Sequence, residues 1–130
     1  MRRFLEIYQA AWADPVGGGL AELWEEDAEM MHPEFVEPMR GRAAVMDYLR
    51  AFMRIAPDLK VRPLAAAAGG QTLFIHFRGE ATIAGKPVVW EGVDRFDFPS
   101  GGDRAARGIG FFDTTRIRAA IAGAADSEGG

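Results

Sequence analysis

The sequence predicts an α+β fold in which three helical stretches precede a strongly bent antiparallel sheet. Three observations predict it. In the first half, apolar residues recur at three and four positions, the spacing of one helix face. Beyond Pro57 the character changes to extended runs separated by glycine and proline turns, the signature of strands joined in a meander. At 130 residues, 48% hydrophobic and 26% charged, the chain is one domain with enough apolar side chains to bury a core unaided. A bent sheet wrapped on a long helix is one compact solution for that order, and it leaves an open mouth between the sheet and the first helices.

Residues 2–13 place Phe4, Leu5, Tyr8, Ala11 and Trp12 at helical spacing, with Tyr8 and Trp12 one turn apart on the same face. Asp14-Pro15 and Gly17-Gly18-Gly19 stop this helix. Residues 20–26 read as a short second helix with Leu20, Leu23 and Trp24 on its apolar side, and residues 27–32 as a short strand closed by Pro33. Residues 34–40, with Pro38, form an irregular loop or lid. The main helix covers 41–55, where Val45, Tyr48, Leu49, Phe52 and Ile55 recur before Ala56-Pro57-Asp58 ends it. Four strands follow, over 59–67, 71–83, 87–98 and 104–113. Their turns fall at Gly69-Gly70, at 84–86 and at 99–102. Residues 114–125 read as a short frayed helix that completes a single domain over 1–125, and 126–130 as a disordered tail.

The formal net charge of -4 gives no general attraction to phosphate backbones or anionic lipid, so neither nucleic acid nor membrane is an expected partner. Without cysteine there is no disulfide framework, thiol nucleophile or cysteine–zinc site. No apolar run approaches the roughly 20 residues that span a bilayer. Residues 1–3 lead into an amphipathic pattern rather than a signal-peptide core, and a cytoplasmic location is the default expectation. Two histidines far apart make no zinc site, and Gly17–Gly19 lacks the strand and lysine of a phosphate loop. No cofactor is expected.

The informative stretch is residues 88–98. Alternation puts Val88, Trp90, Gly92, Asp94, Phe96 and Phe98 on one face, and Val89, Glu91, Val93, Arg95 and Asp97 on the other. The first face is aromatic and apolar with a single acid in its middle. Such a carboxylate must be paired, kept neutral or held at the wall of a polar-lined pocket. His32, with an ordinary pKa near ~6.5, could act as a base without tuning, or simply bond a loop carbonyl. Trp12, Phe35, Phe52, Trp90, Phe96 and Phe112 are candidates to line an apolar cavity. His76 shares a face with Phe74, Arg78 and Glu80 and reads as a polar residue of the convex side, with a second pocket base as the other possibility.

Four segments carry a resemblance: Leu23-Trp24-Glu25-Glu26-Asp27-Ala28, Pro38-Met39-Arg40-Gly41-Arg42-Ala43-Ala44-Val45, Gly92-Val93-Asp94-Arg95-Phe96 and Phe111-Phe112-Asp113. In that order the chain resembles the SnoaL-like and nuclear transport factor 2-like superfamily, which includes the ketosteroid isomerases and polyketide cyclases. The resemblance implies a cone-shaped fold with a hydrophobic pocket. By match to the isomerases, Tyr8 takes the place of an oxyanion-hole tyrosine on the first helix, and His32 stands where their general-base aspartate precedes a proline. Their second acid falls at Gly92, two residues from Asp94 on the same strand face, about 6–7 Å along it. The cyclases often carry a histidine in the preceding hairpin, where this chain has Gly79-Glu80-Ala81-Thr82. The epoxide-hydrolase branch uses an Asp–Arg–Asp network, for which Asp94, Arg40 or Arg42, and Asp113 are the candidates.

The expected function is therefore a small-molecule enzyme acting by acid/base proton transfer on an apolar, carbonyl-containing substrate, as an isomerase, cyclase or dehydratase. His32 would move the proton, Asp94 orient or donate, and Tyr8 bond the oxyanion. The alternative is a non-catalytic module for a hydrophobic ligand or for a protein contact. The resemblance also implies a homodimer formed through the outer sheet face.

Overall fold

A computed structural model describes the backbone of residues 1–129 and the side chains of residues 1–123. Helix α1 (Arg2–Ala13) buries Phe4, Tyr8 and Ala11 along the stripe that the sequence sets at three and four residues. Its exit is fixed by Asp14, whose carboxylate accepts the Gly17 N–H at 3.2 Å. Two 3₁₀ turns follow, Pro15–Gly17 and Leu20–Leu23. The expected second helix is thus only the second of these turns. Leu20 and Leu23 are both buried, a three-residue spacing that a 3₁₀ turn satisfies as well as an α-helix. Trp24 is already extended because it pairs with Ala105 from the far end of the chain.

Strand β1 (Trp24–Met31) is longer than the sequence suggests, and β2 (Met39–Arg40) pairs antiparallel with it. Helix α2 (Arg42–Ile55) lies where the periodicity places it and buries Val45, Met46 and Leu49. The meander consists of β3 (Lys60–Gly69), β4 (Thr72–Ile83), β5 (Lys86–Asp97) and β6 (Ala105–Phe112), each within a residue or two of expectation. Helix α3 (Thr115–Gly129) closes the chain. The tail expected over 126–130 falls on side chains, and for Gly130 also backbone, outside the described residues.

The sheet order is β2-β1-β6-β5-β4-β3. The α+β class and the bent sheet are as expected, with two differences of detail. The β1–β6 pair is parallel, so the sheet is mixed. The short second helix expected in the first half is a 3₁₀ turn, while the helix expected from 114 onward is present as α3. Irregular register between Pro63 and Ala65 in β3, and between Trp24 and Glu29 in β1, marks where strands bend. Two buried clusters hold the halves of the cone. In one, Phe4 packs on Phe96 and Phe98 with ring centroids 4.7 and 4.9 Å away. In the other, Trp90, Phe77 and Ile83 meet Ile117 and Ala120 of α3.

Candidate functional site

Between the two clusters lies a cavity of about 220 Å³. Trp12 of α1, Tyr48 and Phe52 of α2, Trp90, Asp94 and Phe96 of β5, Phe112 of β6 and Ile117 of α3 line it. Glycines let the large rings lie flat against the sheet. A Cβ on Gly108 would come 2.5 Å from the Trp24 ring, and one on Gly79 would overlap the ring of Trp90. Gly92 is equally closed: a Cβ there would stand 2.5 Å from Phe112 Cβ and 2.6 Å from the Phe111 carbonyl oxygen. No side chain fits at the position where the isomerases carry their second acid. Asp94 is the next position on that face with room.

Asp94 faces the cavity as β5 alternation requires. The Tyr8 hydroxyl donates to its Oδ2 at 2.9 Å, while Oδ1 lies beside Gly110, where a Cβ would stand 3.4 Å from it and 3.2 Å from the Phe112 ring. Burial among aromatic rings pushes the carboxyl up to about 7, against the opposing pull of the Tyr8 hydrogen bond. Tyr8 is fully buried and is not a wall of the cavity. Its own acidity is driven far down by burial and by the adjacent carboxylate, so it stays a phenol. The hydroxyl expected to bond a substrate oxyanion is committed to Asp94 instead. Its role here is to hold the carboxyl.

His32, just past the end of β1, lies on the cavity wall but is not bonded to Asp94. Its Nδ1 accepts the Glu34 N–H at 3.1 Å, and its Nε2 is 2.8 Å from the Tyr48 hydroxyl. Burial lowers its pKa, with Glu34 pulling weakly the other way. The ring of Phe112 meets the imidazole edge-on at 5.3 Å and lies, like Asp94 Oδ1, near Gly110. The expected convergence of His32, Asp94 and Tyr8 therefore resolves into two pairs, Tyr8–Asp94 and His32–Tyr48. Tyr48 is the site residue that sequence reasoning missed: helical periodicity assigned it to the core side of α2, which here is also the cavity side. Phe35 packs on His32 and Tyr48 at 5.2 and 5.1 Å between centroids, as their backing rather than as a wall.

The polar rim is Glu34, whose carboxylate accepts a hydrogen bond from Thr114 and pairs with Arg118 at 3.5 Å, tying the loop after β1 to α3. Trp24 Nε1 is buried and, among the described residues, has no acceptor. The epoxide-hydrolase network does not assemble. The Asp113 carboxylate caps α3, accepting from the Thr115 N–H at 2.9 Å and its hydroxyl at 2.6 Å. Arg40 pairs with Glu29 and Arg42 reaches the Trp24 carbonyl. His76 is on the convex face, 3.2 Å from Glu91. Among the described residues no three potential ligands gather around a metal position, and no helix is long and apolar enough to cross a membrane.

The sequence profile of the SnoaL-like domain matches residues 1–107. Among solved structures, a protein with a ketosteroid isomerase-like fold from Catenulispora acidiphila, in complex with trimethylamine, superposes with a TM-score of 0.78 at 15% identity, covering 92% of each chain. TerC, co-crystallised with polyporic acid, gives 0.77 at 18% identity over 92% of this chain and 98% of its own. An epoxide hydrolase of the LEH-like kind from M. tuberculosis gives 0.72 at 14% identity over 96% and 91%. At such identities these likenesses speak for the fold. No curated protein matches the sequence.

Proposed function

The chain belongs to the SnoaL-like domain family, and from that premise we propose that it moves a proton on a small, apolar, carbonyl-containing substrate, with Asp94 as the acid/base group. The observation that carries the reading is a carboxyl set among the aromatic rings of the cavity, apart from the Glu34 rim, lifted to about 7 and, among the described residues, hydrogen-bonded by a side chain through one oxygen only. A base is most useful when its pKa sits near the working pH, and Asp94 does so. In the reaction, Asp94 Oδ1 takes a proton from the carbon α to the carbonyl. The C–H pair becomes a C=C bond, and the carbonyl oxygen takes the charge. Return of the proton to another carbon isomerises the substrate; attack of the enolate carbon on a second carbonyl cyclises it, the new alkoxide taking the proton from Asp94; expulsion of a β-hydroxyl, which leaves as water with that proton, dehydrates it. Throughout, Tyr8 holds Oδ2 and leaves Oδ1 facing the substrate.

The cavity volume narrows the substrate class. Drug-sized ligands occupy roughly 300–1,000 Å³, and about 220 Å³ is smaller. Compounds of one or two rings fit better than a steroid. Solvent exchange of α-hydrogens tests the reaction without knowledge of the natural substrate. In D₂O the protein should accelerate C–H to C–D exchange of 1-indanone, followed by proton NMR, with a rate that rises to a plateau above pH ~7. Asp94→Asn should return the rate to that of buffer. Full exchange in that variant would remove Asp94 from the chemistry, and tight binding without exchange would favour a non-catalytic ligand module.

We also propose a homodimer through the convex sheet face. Phe74 and Phe111 are 41% and 54% exposed there, on either side of Val93 and Arg95. Sedimentation velocity reads its existence directly.

A further inference from the structure

The geometry points to Tyr48 as the group that binds the substrate's carbonyl oxygen, with His32 as the positioning residue that aims its hydroxyl hydrogen into the cavity. This deepens, and rests on, the proposed proton transfer at Asp94.

The argument is one of hydrogen counting. The backbone N–H of Glu34 can only donate, so His32 Nδ1, which receives it at 3.1 Å, must be the bare nitrogen of the ring. A neutral imidazole with a bare Nδ1 carries its hydrogen on Nε2. That nitrogen is 2.8 Å from the Tyr48 oxygen, so the ring donates and the tyrosine accepts. The Tyr48 hydroxyl keeps its own hydrogen. Among the described residues it has no other partner, and Tyr48 is a wall of the cavity. The nearest carboxylate, Glu34, is already held by Thr114 and Arg118.

Two further observations agree. Protonating His32 would set an Nδ1–H against the Glu34 N–H, and burial already disfavours the charged ring. Burial and the Glu34 charge also keep the tyrosine a phenol, with a pKa pushed up to about 12. The tyrosine is thus a permanent donor with its hydrogen set in direction. A hydroxyl that accepts one hydrogen bond becomes a better donor for the next. Among the described residues the Tyr48–His32 pair shares no hydrogen bond with the Tyr8–Asp94 pair, giving the cavity one oxygen-binding group and a distinct proton-transferring one.

The arrangement predicts that the protein distinguishes a ketone from the hydrocarbon of the same shape. Wild-type protein should bind 1-indanone about 3- to 10-fold more tightly than indane, the worth of one hydrogen bond. In Tyr48→Phe that preference should vanish while the affinity for indane persists, which also certifies the cavity. An undiminished preference in Tyr48→Phe would overturn the assignment. If the variant binds neither compound, the histidine decides. ¹⁵N spectra of wild-type protein, with His76→Gln identifying the signals, should show His32 bare at Nδ1 and protonated at Nε2 from pH 6 to 9. A hydrogen on Nδ1 would overturn it. The outcome is separable from the fate of the proton transfer: a ketone preference that depends on Tyr48, without α-exchange, keeps the anchor and discards the reaction, and exchange without the preference does the reverse.

Discussion

At the scale of the single residue, the acid/base role proposed for Asp94 should also leave a mark on stability. Its folded pKa of about 7 lies above the ordinary 3.8, so the native state binds the extra proton between those values. Stability from this group is therefore present below pH ~4 and is lost as pH rises through about 7. At 1.36 kcal/mol per unit the ceiling is on the order of 4 kcal/mol, and cavity water reduces it. His32, with its lowered pKa, works in the opposite sense below 6.5, so the wild-type slope alone is ambiguous. The difference between wild type and Asp94→Asn removes that ambiguity. Urea denaturation at pH 5 and pH 8 should show the variant gaining about 1–2.5 kcal/mol on wild type across the interval, which spans only about two of the units between the two pKa values; parallel behaviour would mean that the carboxyl is not held near neutrality. Asp94 was legible in the sequence because strand alternation is local. The bond that confines Tyr8 spans 86 positions, and no spacing rule reports it. His32 was visible as a chemically able group, but its two bonds depend on how the chain turns at Glu34 and where α2 presents Tyr48.

At the scale of the element, the helices and the meander follow from periodicity and turn chemistry, and the failures cluster where a distant partner overrides a short pattern. Residues 20–26 are the clearest example, because Trp24 gains a strand partner in Ala105 that a seven-residue helical pattern cannot match. Within the meander, the β4–β5 hairpin closes through Ala84-Gly85, with Ile83 paired to Lys86. Both turn residues have positive φ, 53° at Ala84 and 77° at Gly85. This is the backbone of a turn that favours Asn-Gly, and alanine is strained in it. Replacing Ala84 by Asn should raise stability by about 1 kcal/mol with no effect on ligand binding, since the turn is far along the strands from Asp94. A denaturation midpoint that does not move would show that the turn relaxes in solution.

At the scale of the whole molecule, closure of the cone depends on the parallel contact of β1 with β6, two segments some 80 positions apart. Only the resemblance, never the periodicity, speaks to that closure. It gives the sheet two unlike faces: a concave one around the cavity and a convex one bearing Phe74, Val93, Arg95 and Phe111. On the convex face the His76–Glu91 hydrogen bond and the Arg95–Asp97 ion pair flank exposed aromatics, the composition of an apolar patch with a polar border. If two copies meet there, each must cover about 800 Å², and the aromatic side chains near the centre carry most of the energy. Phe111→Glu places a charge in that contact without disturbing the monomer core, because Phe111 is more than half exposed. It should weaken the dimer by about 2–4 kcal/mol and leave ketone exchange per chain unchanged, since Phe111 does not line the cavity. Sedimentation velocity across a hundredfold range of concentration gives the first quantity and NMR the second. A wild type that sediments as a monomer throughout would retire the dimer, and a variant that loses exchange along with dimerisation would mean that the second copy shapes the cavity.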